Sequence, residues 1–203
     1  MNQDFFKIID TLTMKTIGIP FFTGSGHTGR MAEAVAKGAS NVAGISVKLL
    51  PILGEHIVNG RYQNEEALKQ LDECDGILFG SPTYMGGPAA QFKAFADATG
   101  GRWFASVWRN KVAGGFTVSN SPSGDKFNTL QYFFTLAMQH GMIWVGLGEM
   151  PLQPNGVNHL GGFSGAMAQA GQEDPKVAPG IGDLRTGEIL GARLAGVVLQ
   201  IRA

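Results

Sequence analysis

Thr23, Gly24, Ser25, Gly26, His27 and Thr28 set three hydroxyls among two glycines and a histidine. A helical pattern starts directly after them, with Met31, Val35, Ala39 and Val42 on one face. Hydroxyls and free backbone N–H groups at a helix N-terminus make an anion site, because the N–H groups point outward and the helix dipole favours negative charge. The segment holds no lysine, which suits a terminal monophosphate better than a triphosphate. Neither the Walker pattern nor G-x-G-x-x-G is present. On the residues alone, the same segment also fits a tight turn in which Thr28 merely caps the helix.

Two other stretches share this character. Residues 76–80 (G-I-L-F-G) read as a buried strand running into Ser81, Pro82, Thr83, Tyr84, Met85, Gly86, Gly87 and Pro88. Residues 111–118 read as another strand, followed by Ser119, Asn120, Ser121, Pro122, Ser123, Gly124 and Asp125. The remaining reactive side chains form no familiar constellation. His27, His56 and His159 are too scattered to suggest a metal site, and no carboxylate pair suggests hydrolysis. Asp97, Asp125 and Asp183 fit helix or turn positions, Asp183 as the cap of the last helix. Cys74 is alone, which excludes an internal disulfide and a cysteine metal site, and it reads as an inert core thiol. Trp103 and His140 are each open to a structural or a ligand-facing role.

The elements that must position these loops alternate in type. Strands are expected at residues 15–22, 45–50, 76–80, 111–118 and 142–147, and helices at 29–43, 65–73, 89–98, 126–140 and from 183 onward. Such alternation implies an α/β fold, a doubly wound five-stranded parallel sheet with helices on both faces. Ligands of these sheets sit outside the carboxyl ends of the strands, where all three loops fall. Pro20 conflicts with a central first strand, having no N–H for the ladder. Residues 148–182, dense in Gly and Pro, are too long for an ordinary connection, which marks a functional or disordered stretch. Glu33 and Lys37 are spaced for an i,i+4 pair. Residues 1–14 read as an N-terminal extension, either an extra helix on Phe5, Ile8, Ile9 and Leu12 or a start upstream of Met14; residues 15–203 form one domain.

The 203 residues balance 16 Lys+Arg against 16 Asp+Glu. No basic block marks a nucleic-acid binder, and no apolar run is long enough to span a membrane. Asp4, Lys7 and Asp10 interrupt the stretch a signal peptide would need. With the lone cysteine, these features point to a cytoplasmic protein. Charged residues make up 16% of the chain and glycine reaches 30 residues, against about 25% charged in typical soluble domains. Few charges and many glycines imply close backbone packing and a surface partly covered by further copies, in a dimer or tetramer.

T-G-S-G-H-T at 23–28 also matches the flavodoxin phosphate-loop pattern. F-G-S-P-T-Y-M-G at 79–86, T-G-G-R-W at 99–103, H-G-M at 140–142 and G-G-F-S-G-A at 161–166 follow in one order. From about residue 15 to its end, the chain resembles the WrbA family of flavodoxin-like NAD(P)H:quinone oxidoreductases. The resemblance implies FMN, with its phosphate in the loop Thr23 to Thr28 and its isoalloxazine ring wrapped by Pro82, Thr83, Tyr84, Met85 and Gly86. It also implies that Ser119, Asn120, Ser121, Pro122, Ser123 and Gly124 border ribityl and ring, that His140 lies near the flavin, and that Trp103 lines the quinone site. The family is described as tetrameric, with active sites near subunit contacts. This chain departs from the pattern in four places: its third loop is S-N-S-P-S-G-D where the family is glycine-rich, Ser25 replaces an aromatic, Tyr84 a frequent arginine, and Gly87-Pro88 a polar pair.

The function so implied is two-electron reduction of quinones by NAD(P)H through FMN, with no catalytic acid or base assigned. Two alternatives stand beside it. A flavodoxin-type electron carrier usually docks through a strongly acidic surface, which a neutral chain lacks. A regulatory or scaffold protein with weak flavin binding has the altered third loop in its favour.

Overall fold

A computed structural model of the chain describes residues 14–201; the extension expected at 1–14 lies outside these apart from Met14. The apolar runs pair side by side as a parallel sheet of β1 (Lys15–Phe21), β2 (Ile45–Pro51), β5 (Gly76–Tyr84), β7 (Val112–Ser119) and β8 (Ile143–Trp144), in the order β2-β1-β5-β7-β8. Between them come a small hairpin, β3 (Ile57–Val58) and β4 (Arg61–Tyr62), and the helices α1 (His27–Ser40), α2 (Glu65–Asp72), α3 (Ala90–Ala98), α4 (Gly100–Phe104), α5 (Lys126–Gln139) and α6 (Ile181–Gln200). The chain winds outward from β1 in both directions, so the strand order reverses between β1 and β5. The carboxyl ends of these two strands are where a ligand crevice is expected.

Each face of the sheet is sealed by its own apolar set. Met31 and Val35 of α1 and Leu190 and Leu194 of α6 pack with Ile17 and Ile19 on one side; Phe92, Phe95 and Phe133 pack with Ile77 and Phe79 on the other. The glycine content has a local use here. A side chain at Gly38 would run into the Glu188 backbone, and one at Gly191 into the Val35 backbone, so α1 and α6 touch main chain to main chain. That contact also redirects Lys37. It bonds Glu188 of α6 at 2.7 Å instead of pairing with Glu33.

Pro20 is accommodated by losing one rung. Even-numbered residues of β1 face β5, as the bond from Phe22 N–H to the Gly80 carbonyl shows. The β1–β5 ladder has no partners at Ile19 and Pro20 and resumes at Phe21, whereas the β1–β2 ladder runs unbroken from Lys15 to Phe21.

The last strand differs most from expectation. Strand pairing at 142–147 is confined to β8, and β7 finds its remaining partner in β9 (Ala166–Gln169), inside the segment that reads as loop. Residues 145–165 therefore leave the sheet edge and return to it, closed by a bond from Leu147 N–H to the Phe163 carbonyl. Ala-Met-Ala-Gln carries no β-branched or aromatic residue, which hides the strand. Asp183 is not the helix cap: Gly180 occupies that position, and Asp183 is a buried first-turn residue accepting from Gln169 N–H at 2.9 Å. The hairpin β3–β4 turns on Asn59-Gly60, both at positive φ, the type I′ arrangement that Asn-Gly favours.

Candidate functional site

The first loop is shaped by its own polar atoms. Gly26 adopts φ 95°, a left-handed conformation, and its N–H donates to Thr23 Oγ1 at 3.0 Å. His27 is buried, with Nε2 at 2.7 Å from the Glu173 carbonyl and Nδ1 at 3.0 Å from Ser25 Oγ. Nε2 therefore donates and, in the neutral ring, Nδ1 accepts from the serine. Thr28 is in the first turn of α1 and is only 2% exposed. A hydroxyl beside a helix N-terminus suits an anion.

The second loop is the end of β5 itself. It turns back through Met85 and Gly86, at φ 47° and 79°, into β6 (Gly87–Pro88). Beneath it, Thr83 Oγ1 lies 2.8 Å from Thr117 Oγ1 and 2.7 Å from Thr129 Oγ1, tying β5, β7 and α5 together. The Asn128 amide holds the Gly86 carbonyl. The Tyr84 hydroxyl occupies the space into which a side chain at Gly24 would project, so the first two loops meet through it.

Lys126, the first residue of α5, holds the third loop. Fully buried, its Nζ donates to the Ser121 carbonyl at 2.6 Å and the Pro122 carbonyl at 3.1 Å. Burial pushes its ammonium down to about 8, partly opposed by the Asp183 carboxylate. Gly124 and Asp125, both at positive φ, then turn the chain into the helix.

These loops enclose a cleft of about 550 Å³ at the carboxyl ends of β1, β5 and β7. Of the residues singled out in sequence, Gly24, Ser25, His27, Thr28, Pro82, Thr83, Tyr84, Ser119 and Asn120 line it. Thr23, Gly26, Met85 and Gly86 complete the loops around it. Pro122 and Ser123 face the other way, into a second cavity of about 720 Å³, while Ser121 and Gly124 shape the loop between. A fourth wall escaped the sequence reading: Ala170 to Pro175, following β9. It is strapped to α1 by the His27 contact and by Arg30, whose guanidinium donates to the Pro175 carbonyl at 2.8 Å. Bonds from its own and the Gly171 backbone N–H hold the Glu173 carboxyl below its usual range.

His140 and Trp103 are not brought to this cleft within one chain. Helices α3 and α5 run back against the strands, so their C-terminal ends lie at the sheet's amino end. There His140 stacks on Trp108 at 4.5 Å between ring centroids and meets Thr99 Oγ1 at 2.9 Å. Because the Thr99 hydroxyl donates to Ala96 O, His140 Nε2 must carry the hydrogen, and among the described residues its buried Nδ1 has no partner. Trp103, 54% exposed, shares with His140 and Arg109 a cavity of about 520 Å³. Trp108 is core, its indole N–H donating to Asp72 at 2.8 Å. Cys74 is a buried thiol pushed up to about 11 by burial.

The cleft's chemistry fits an FMN-sized ligand: a threonine hydroxyl at a helix N-terminus for the phosphate, and two loops rich in backbone polar groups for a ring. Known proteins agree. Residues 18–153 match the model of the NADPH-dependent FMN reductase family. The chain is 41% identical to the flavodoxin FldP of Pseudomonas aeruginosa over 91% of its own length and 97% of that protein. It is 30% identical to an NAD(P)H dehydrogenase (quinone) of Trichlorobacter lovleyi, covering 94% of this chain and all (100%) of that one. A solved structure described as the flavodoxin, WrbA-like protein from Agrobacterium tumefaciens superposes with a TM-score of 0.73 at 42% identity, over 93% of this chain and 99% of that one. The chain belongs to the NADPH-dependent FMN reductase family, and within it to the WrbA-like flavoproteins.

Proposed function

We propose that the chain is an FMN-dependent NAD(P)H:quinone oxidoreductase carrying out two-electron reduction of quinones. The observation that carries this is the convergence of three hydroxyl- and glycine-bearing loops on one cleft, at the strand-order reversal, in a chain of this family. Thr23 to Thr28 would hold the phosphate, Pro82 to Gly86 the ring, and Ser119 and Asn120 the ribityl edge. FMN held there would supply the hydride chemistry that links NAD(P)H to a quinone. The chain's own contribution is to fix the phosphate at α1, to orient the ring between two pre-formed loops and to cover it with Tyr84.

Trp103 and His140 take part in this reading only through a second copy whose amino end faces the cleft. The half-exposed Trp103 and the 85% exposed Phe104 offer the aromatic surface for such a contact, and the low charge content agrees with a homodimer or homotetramer. The lone, buried Cys74 is in keeping with the reducing cytoplasm. Among the described residues, no helix is long and apolar enough to cross a membrane.

The relative named a flavodoxin favours a second reading, a one-electron carrier. One experiment separates the two. The purified protein should release FMN, identified by mass, and its flavin absorbance should bleach with NADH or NADPH and return on adding a quinone. Release of FAD, or no flavin after reconstitution, would sink the cofactor assignment. Flavin that only a protein reductase can bleach would favour the carrier.

A further inference from the structure

The third loop hangs on one buried charge. Lys126 is fully buried, and its Nζ donates to two successive loop carbonyls, Ser121 at 2.6 Å and Pro122 at 3.1 Å. Its backbone N–H adds a bond to the Ser123 carbonyl at 3.2 Å. The Ser121 carbonyl also accepts from Ser119 Oγ at 3.2 Å, and Ser119 lines the cleft. A path of two hydrogen bonds therefore joins the ammonium to the cleft wall. The Ser119 carbonyl accepts in turn from Ala170 N–H at 3.1 Å, which ties the third loop to the fourth wall.

The counter-charge sits where that fourth wall begins. Asp183 of α6 faces Lys126. One of its oxygens accepts from the N–H of Gln169, the residue before the wall, at 2.9 Å. The other lies 2.8 Å from Nε2 of His159, on the excursion between β8 and β9. The charged groups that face Lys126 are thus Asp183 and, behind its carboxylate, His159; Asp125 precedes it at the start of its own helix. Charge-assisted hydrogen bonds are roughly twice as strong as neutral ones. A neutral amine at Nζ would keep a weaker hold on the two carbonyls and lose its attraction to Asp183. The shape of two cleft walls is in this way conditional on one proton.

We propose that Lys126 is a positioning residue for the cofactor: its ammonium holds the third loop in the shape that borders ribityl and ring, so FMN binds the protonated chain and is released as that proton is lost. The proposal rests on the assignment of the cleft to FMN made above. Burial pushes the Lys126 ammonium down to about 8, against the pull of Asp183. Binding to the protonated form leaves Kd constant well below that pH and raises it about tenfold per pH unit above it. By the same linkage, FMN binding above that pH takes up a proton.

Fluorescence titration of wild-type apoprotein with FMN should give a Kd about tenfold higher at pH 9 than at pH 7. Calorimetric titration at about pH 8.5, in two buffers of different ionisation enthalpy, should show proton uptake on binding. Lys126→Met should bind FMN more weakly than the wild type at neutral pH, with a Kd that no longer changes towards alkaline pH and without proton uptake. Lys126→Arg keeps both charge and donors, and its guanidinium does not titrate in this range. It should restore binding at neutral pH and hold it at alkaline pH. A lysine that served packing alone would change affinity in the variants and leave the wild-type pH profile flat. A flat wild-type Kd with no proton uptake would overturn the proposal, whether or not either variant folds. So would an alkaline rise in Kd that persists in Lys126→Met. Wild-type apoprotein that takes up no FMN at neutral pH would overturn the cofactor assignment, and the proposal with it.

Discussion

The two ends of α5 carry opposite solutions to the same problem. Lys126 opens the helix and His140 closes it, and both are buried bases. The helix dipole favours a cation at the C-terminus and disfavours one at the N-terminus, yet the charge is at the wrong end. His140, packed on Trp108, is pushed down to about 4 by burial and stays neutral. Lys126 is pushed down by burial to about 8, with Asp183 opposing the shift, and so remains an ammonium at neutral pH, held by two loop carbonyls. The amino end of the sheet is thus built for packing. The carboxyl end retains a destabilising charge because that charge shapes the third loop.

Stability against pH should expose this contrast most strongly. Each group has a folded pKa below its ordinary value, so the unfolded chain binds more protons in the interval between them, and stability rises with pH there. For His140 the interval runs from about 4 to 6.5, and its contribution is lost as pH falls through it. For Lys126 it runs from about 8 to 10.5, and stability is gained as pH rises through it. Either effect reaches up to about 3 kcal/mol. In urea titrations from pH 4 to 10.5, His140→Phe should flatten the acid limb alone and Lys126→Met the alkaline limb alone. An alkaline slope unchanged in Lys126→Met would break the comparison.

Cofactor affinity should separate the ends next. Thr28→Ala removes a hydrogen bond to a charged oxygen and should weaken FMN binding by about 1.5–3 kcal/mol. The same measurement on His140→Phe should return the wild-type affinity, since His140 lies at the other end of the sheet. Fluorescence titration of the apoproteins with FMN decides it, and equal losses in both would mean that the ends are coupled through α5.

Much of the carboxyl end was legible because its signals are local. T-G-S-G-H-T announces a βα turn and P-T-Y-M-G-G-P a turn-rich strand end, and each cleft-lining residue singled out there sits within a few positions of a strand. What the sequence concealed depends on partners far along the chain. Ala170 to Pro175 become a cleft wall only once Ala-Met-Ala-Gln is recognised as the second half of a broken strand. Lys126 looks like an ordinary helix-start residue until the loop folds over it. Conversely, motif order placed Trp103 and His140 near the flavin although helices α3 and α5 carry them to the opposite end. Motif order along a chain says nothing about which end of a helix faces a ligand. Asn59-Gly60 is an equally local signal, the dipeptide that type I′ hairpins favour.

The smallest effect tests whether the two ends meet between copies. Within one chain Trp103 cannot reach the cleft, so its removal should leave FMN affinity unchanged. If the amino end of one copy covers the cleft of another, the indole lies against the acceptor, and stacking of that kind contributes about 0.5–1.5 kcal/mol beyond area burial. Trp103→Ala should then lower kcat/KM for a quinone about 2–12-fold. The loss should depend on assembly: diluting the wild type until light scattering reports monomers should reproduce part of it, while the variant should change little on dilution. A monomer as active towards quinones as the assembled protein would remove the amino end from the site and leave Trp103 and Phe104 as surface aromatics.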